Sequence, residues 1–234
     1  MTTTSPATTS SDARDRAREG VAATARRLAE AGLVIGTAGN VSLRFEGPTG
    51  PEVAITATGV VLADIDPAGV SVLDVDGHQL AGDLAPTSEL ELHLDALRER
   101  GGAVVHTHSP AATAVSLVVD ELPCVHYQQL AIGGAIRVAP FEVFGSPELA
   151  AAVRSALAGK QAAILAHHGT VALGSDLTKA ADNALLLEWA ADLYWRAAAL
   201  GTPRALSEAQ QVAVIEVALR TGYGSPRPAT TEEP

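Results

Sequence analysis

The sequence predicts an α/β fold, a three-layer α/β/α arrangement around a central mixed, mostly antiparallel sheet. Short apolar strands alternate with helices at both ends and in the middle of the chain, which provides covers for both faces of a sheet. Hairpin signals outnumber strand–helix–strand units, which favours antiparallel pairing. At 234 residues, with neither linker nor internal repeat, residues 12–223 read as one domain with an ample core.

Taken in order, a charged helix is predicted from about Asp12 to Ala31, with Gly32 as its C-cap. "NVSLRF" and "EVAIT" read as short strands. "VSVLDVDGHQLA" reads as a hairpin turning at Asp76-Gly77. In "APTSELELHLDALRERGG", Ser88 and Glu91 fit a capping box, Leu90, Leu94 and Leu97 form the apolar stripe, and Gly101-Gly102 end the helix. Strands follow at 103–108, 122–127, 135–139, 162–166 and 170–173, with a helix at 147–158. Helices at 177–200 and 207–221 close the chain, the second opened by Ser207 with Gln210 three residues on. Residues 1–11, rich in Thr and Ser, and residues 224–234, rich in Pro, are expected to be disordered tails.

Composition narrows the function. The chain is 47% hydrophobic but 3% aromatic, so its core has to be built from Ala, Val, Leu and Ile. Sixteen basic against 27 acidic residues leave a net charge of -11, which argues against nucleic acid or an anionic membrane as partner. A small anion in a local pocket is still allowed, because charge is screened beyond about 8–10 Å. Cys124 is the single cysteine and reads as a small buried apolar residue. "MTTTSPATTSS" has neither the basic start nor the apolar core of a signal peptide, and a cytoplasmic protein is expected.

The chemistry begins in "AVVHTHSP". Residues two apart on a strand share a face, so His106 and His108 point the same way out of an apolar run. Two imidazoles so placed can bind one metal ion, and "AHHGTVA" offers a third in His167 or His168. Three histidines with an open position are the catalytic pattern for Zn²⁺. Glu89 reads as an acid that the helix dipole favours, and His93 lies four residues on, on the same helix face. His78 and His126 have no evident partner. The glycine-rich "IGTAGNVS" lacks the lysine and the spacing of a nucleotide loop. Its Thr37, Asn40 and Ser42 are neutral donors nonetheless, and "TATG" and "PTS" are two further loops of that kind. Each alone reads as an ordinary turn, yet clustered hydroxyls and backbone N–H groups can hold a phosphate without a basic residue.

In chain order, "GTAGNVS", "ITATG", "APTSE", "VVHTHS", "HYQQLAIGG" and "HHG" resemble the class II aldolase/adducin-like family. The resemblance spans residues 15–223 and is strongest to the L-fuculose-1-phosphate aldolase branch. It implies a homotetramer of three-layer subunits with sites at subunit interfaces, and metal-dependent retro-aldol cleavage of a ketose 1-phosphate to dihydroxyacetone phosphate and an aldehyde. His106, His108 and His168 match the metal ligands, with Zn²⁺ expected and Mn²⁺ or Co²⁺ as alternatives. Glu89 matches the acid/base carboxylate. Thr37, Asn40, Thr58, Gly59, Thr87 and Ser88 match the loops that hold the substrate phosphate. Tyr127 matches a tyrosine that reaches a neighbouring subunit's site and protonates the aldehyde oxygen, and Tyr223 matches one that closes over the substrate. Ala57 stands where a proline is common, and Thr87 where a serine is; both loops keep their donors.

Three other activities share this scaffold. The 4-epimerases of the group, such as ribulose-5-phosphate 4-epimerase, carry Asp where this chain has Glu89, so that carboxylate favours the aldolase side. Dehydratases and decarboxylases keep the Glu. Non-catalytic adducin-like modules lose the metal histidines, which this chain retains.

Overall fold

The computed structural model describes residues 10–48 and 50–223, and these form an α/β fold of the expected class. The first helix, α1 (Ser10–Glu30), begins two residues before its expected start. Gly32 ends it in the left-handed region, φ 76°, and the N–H of Leu33 returns to the carbonyl of Leu28. The expected tails at 1–9 and 224–234 lie outside the described residues.

Four strands follow: β1 (Asn40–Gly47), β2 (Gly50–Thr56), β3 (Val70–Asp74) and β4 (Gln79–Ala81). They make an antiparallel meander, and in its last turn Asp74 accepts from the N–H groups of Asp76 and His78. The His78 ring lies 3.0 Å from the other Asp74 oxygen, so this exposed histidine caps a turn. The chain then runs through α2 (Leu90–Arg100), β5 (Ala103–Thr107) and α3 (Pro110–Ser116). After these come β6 (Glu121–Leu122), β7 (Ile136–Ala139), α4 (Pro147–Ala156), β8 (Ala162–Leu165), β9 (Gly169–Gly174), α5 (Leu177–Leu200) and α6 (Glu208–Thr221). The nine strands form one sheet in the order β4-β3-β2-β1-β5-β9-β8-β7-β6. Only β7 and β8 run parallel, so the sheet is mixed and mostly antiparallel.

Both faces are covered. On one, α1, α3 and α5 pack residues such as Val21, Leu28 and Leu187 against Val41, Val105 and Ala172. On the other, α2 and α4 pack Leu94, Leu97, Leu149 and Val153 against Ile55, Val104 and Val171. Each fully buried Leu or Ile among them contributes about 1.5–3 kcal/mol. The alternation of Val104 and Val105 between the two clusters shows the period of two that places His106 on the α2 face. Among the described residues no helix is long and apolar enough to cross a membrane.

Three local expectations differ. The expected strand at 122–127 pairs only at Glu121 and Leu122, then becomes a 3-10 helix, Tyr127–Ile132. Pro123 has no N–H for the ladder, and His126 and Gln129 cap the helix reciprocally, leaving the segment better satisfied as a turn. The Ser88–Glu91 capping box does not form. Glu89 is the N-cap of α2, with no side-chain cap bond, because its carboxylate is engaged elsewhere. Finally, α3 was not anticipated. Its first N–H groups are accepted by Glu188 of α5, at 2.8 Å from Ala111 and 2.9 Å from Ala112.

Candidate metal centre and active-site cavity

The site grows out of strand register. Asn40 on β1 lies opposite His106 on β5, so the two side chains share the α2 face. Ser42 shares it too, two residues along β1. On the other side of β5, Thr107 pairs with Thr170, and their hydroxyls meet at 2.7 Å. The β8–β9 hairpin closes with Leu165 opposite Gly169, which brings His168 beside the β5 histidines. A Cβ at Gly169 would lie 2.1 Å from the Thr107 carbonyl oxygen, so only glycine allows this approach. His167 adopts φ 58°, an uncommon conformation for a residue with a Cβ. Its N–H donates to Ser116 Oγ and its ring stands edge-on to Phe141, while His168 enters the cluster.

His106, His108 and His168 each offer a ring nitrogen within 4.8 Å of the others. Their ring centroids are 4.8–5.0 Å apart and the planes lie 67–84° from one another. His106 Nδ1 donates to the carbonyl of Thr170 at 2.9 Å, which fixes Nε2 as the lone-pair nitrogen of the neutral ring. Burial pushes His106 down to about 4 and also lowers His108, so both are neutral at pH 7. Hence His106 Nε2 aims a lone pair at Glu89 Oε2, 3.2 Å away, and at His108 Nε2, 3.1 Å away.

Glu89 is buried. Burial raises its carboxyl, while the positive charge His106 carries when protonated and the Asn40 hydrogen bond lower it, with a net shift below the usual carboxylate range. It is therefore an anion, with Oε1 3.4 Å from His168 Nε2 and without a hydrogen-bond partner. A buried carboxylate oxygen without a hydrogen-bond partner, set among three imidazoles, is a donor set that a cation would complete. Three ring nitrogens with an adjacent carboxylate fit a divalent cation.

One buried network holds the carboxylate. Asn40 Nδ2 donates to Glu89 Oε2 at 2.8 Å and to Thr87 Oγ1 at 3.0 Å, which commits both of its hydrogens. His93 Nε2 donates to Asn40 Oδ1, and His93 Nδ1 accepts from the Ser42 hydroxyl at 2.6 Å. Burial pushes His93 down to about 3, so it is neutral in the fold.

That shift carries a prediction. Unfolded His93 protonates below about 6.5, whereas folded His93 stays neutral until about 3. The stability due to the neutral ring is thus complete above pH 6.5 and is lost as pH falls from there toward 3. Metal-free protein should lose up to about 1.4 kcal/mol per pH unit from this residue within that window. Thermal unfolding of metal-free His93→Gln should show a shallower decline below pH 6.5 than the parent; equal slopes would contradict the shift.

A cavity of about 420 Å³ adjoins the cluster, a volume suited to a small ligand. Thr37 and Asn40, Thr58 and Gly59, and Thr87 and Ser88 line it, as do Glu89, His108 and His168. His106 lies beneath, fully buried. Two of the loops are laced together: Thr58 N–H donates to Ala85 O at 3.0 Å and Thr87 N–H to Thr56 O at 3.1 Å. Among the described residues no Lys or Arg lines the cavity. A further wall is apolar, made by Phe141, Val143 and Phe144 of the loop after β7, with Glu142 between. The sequence reading missed this wall, since "FEVF" carries no motif of its own.

Tyr127 and Tyr223 lie elsewhere. Their hydroxyls meet at 3.0 Å over an apolar hollow lined by Ala213, Val214, Val217 and Ala218, and neither borders the histidine cavity of its own chain. His126, beyond capping the 3-10 helix, packs against Tyr127 and Trp189.

Residues 19–195 match the family model described as Class II Aldolase and Adducin N-terminal domain. The chain is 36% identical over 202 residues to the 5-methylthioribulose-1-phosphate/5-deoxyribulose-1-phosphate aldolase of Rhodospirillum rubrum, covering 85% of this chain and 89% of that protein. It is 37% identical over 180 residues to the 3-oxo-tetronate 4-phosphate decarboxylase of Haemophilus influenzae, covering 73% and 82% respectively. A solved L-fuculose 1-phosphate aldolase superposes with a TM-score of 0.80 at 28% identity, over 86% of this chain and 95% of that one.

Proposed function

The chain belongs to the class II aldolase and adducin N-terminal domain family, and from that premise we propose that it cleaves a ketose 1-phosphate to dihydroxyacetone phosphate and an aldehyde. Residues 12–223 would form the single catalytic domain, with a divalent metal, Zn²⁺ first, held by His106, His108 and His168. The observation that carries this reading is Glu89 Oε1, buried, anionic and unpartnered beside those three rings. When bound, the cation supplies Lewis-acid polarisation of the substrate carbonyl and neighbouring hydroxyl.

The chain's own residues supply the rest. In the condensation direction Glu89 takes the proton from the carbon beside the carbonyl, and Tyr127 gives one to the aldehyde oxygen; cleavage reverses both transfers. Asn40 holds Oε2, so Oε1 is the oxygen left for proton transfer. Hydroxyls of Thr37, Thr58, Thr87 and Ser88 hold the phosphate as neutral donors, and Gly59 lets the backbone approach it. Asn40 belongs to the same loops, but its committed amide makes it a support for Glu89 and Thr87.

Tyr127 and Tyr223 stand outside the cavity of their own chain, so we assign them to the site of a neighbouring subunit in a homotetramer. Support comes from α6, which buries no residue within its chain and exposes Val212, Ile215, Val217 and Leu219. The phosphorylated sugar is the partner expected at the site, and the cytoplasm the expected location.

The apolar wall of Phe141, Val143 and Phe144 favours aldehydes ending in a methyl or thioether group, as the deoxy and methylthio sugars in the names of the R. rubrum relative do. Dihydroxyacetone phosphate release from a panel of ketose 1-phosphates tests both points. We expect release that chelation stops and Zn²⁺ restores, with 5-deoxyribulose 1-phosphate cleaved about tenfold more efficiently than ribulose 1-phosphate. Decarboxylation of a 3-oxo-tetronate phosphate, with none of the panel cleaved, would favour the second reading, which rests on the H. influenzae relative.

A further inference from the structure

We propose that His93 is the positioning residue of this site: its Nε2–H, set by the Asn40 carbonyl oxygen and accommodated at Nδ1 by the Ser42 hydroxyl, orients Asn40 so that the amide grips Glu89 Oε2 and leaves Oε1 for the cavity. The proposal rests on the reading of Glu89 as the acid/base group.

The argument follows hydrogen-bond polarity along the chain of contacts. Glu89 is an acceptor only, so the Asn40 atom 2.8 Å from Oε2 has to be the amide nitrogen. The same nitrogen meets Thr87 Oγ1, which accepts a second bond from the Glu89 N–H at 3.3 Å. Asn40 Oδ1 then points at His93 Nε2, which has to carry the hydrogen. A neutral ring with its hydrogen on Nε2 has a lone pair on Nδ1, and the Ser42 hydroxyl donates to it at 2.6 Å. Reversing any link sets two acceptors against each other in a fully buried place: His93 and Ser42 have no exposed surface, and Asn40 is 4% exposed. Register adds the geometry. Asn40 and Ser42 lie two apart on β1 and present both ring partners to a helix residue four positions after Glu89. The unit thus runs from Ser42 through one α2 residue back to another, and its output is the rotation of a carboxylate.

Two near-isosteric variants separate positioning from mere filling. The Gln amide nitrogen reaches the place of Nε2, whereas the Asn side chain ends near Nδ1. His93→Gln therefore keeps the donor to Asn40, and His93→Asn keeps only the Ser42 contact. With the best ketose 1-phosphate of the panel and Zn²⁺-loaded protein, we expect His93→Asn to lower kcat about 10–100-fold with KM nearly unchanged. His93→Gln should stay within about threefold of the parent. Independently of activity, ¹⁵N histidine shifts of metal-free protein should report His93 as the Nε2–H tautomer, and Ser42→Ala should keep that tautomer because Asn40 Oδ1 still faces Nε2. An Nδ1–H tautomer in the parent, or equal kcat in the two variants, would overturn the proposal. Parental turnover in Glu89→Gln would remove its premise instead, and the tautomer measurement tells these failures apart.

Discussion

Glu89→Gln is expected to lower turnover by about 10²–10⁴-fold while the protein folds and binds metal. Gln has the shape of Glu, and its carbonyl oxygen can accept the Asn40 hydrogen bond that Oε2 now receives. The site around Asn40, Thr87 and His93 is therefore preserved. What disappears is an oxygen able to take up and return a proton beside the three histidines. Stability tests the electrostatic half of the argument. In the metal-free protein Oε1 is buried without a hydrogen-bond partner, 3.4 Å from His168 Nε2, while Oε2 lies 3.2 Å from His106 Nε2. A neutral amide there is no harder to bury and can donate to an imidazole lone pair. The melting temperature of metal-free Glu89→Gln should equal or exceed that of the parent. Unchanged turnover would remove Glu89 from the chemistry, and a lower melting temperature would show that the carboxylate is compensated in a way this geometry lacks.

His108→Ala should abolish stoichiometric metal and, with it, turnover. An open catalytic Zn²⁺ site takes three protein ligands, and without His108 the third could come only from Glu89, whose Oε2 is held by Asn40, so affinity falls steeply. His108 is the cleanest ligand to remove. It lies just past β5, half-buried, outside the ladder. His106, by contrast, is fully buried and donates to the Thr170 carbonyl, so its removal would leave both a cavity and an unpaired acceptor. Elemental analysis after gel filtration should find about one metal per chain in the parent and next to none in His108→Ala. Circular dichroism should find the same fold in both. Full occupancy in the variant would break the three-histidine model.

Much of the fold was legible because it rests on local signals. Gly32, the Asp76-Gly77 turn and the Ser207–Gln210 capping box each act within a few residues, and each takes the expected conformation. Two of the failures share a cause: a non-local partner outweighed a local preference. Glu89 gave up its place in an orderly helix start to meet Asn40, 49 residues away in sequence. The helix α3 is capped by Glu188, 77 residues from Ala111. The third is local: the segment after Leu122 turns away from the sheet because Gln129 satisfies the N–H groups of Val125 and His126 and donates to the Pro123 carbonyl.

The site divides along the same line. The shared face of His106 and His108 follows from the two-residue period of a strand, and the donor character of the three loops from their Thr, Ser and Gly content; both were readable before any fold was known. That His168 and not His167 joins the pair depends on a hairpin packed against β5 without a Cβ at Gly169. That Asn40 serves a carboxylate, that His93 has one tautomer, and that Tyr127 and Tyr223 stand outside their own cavity depend likewise on residues far apart in the chain. Side-chain chemistry and strand period are properties of short stretches of sequence. Hydrogen-bond polarity in a buried network is settled only when every member has met its partners, and that requires the folded chain.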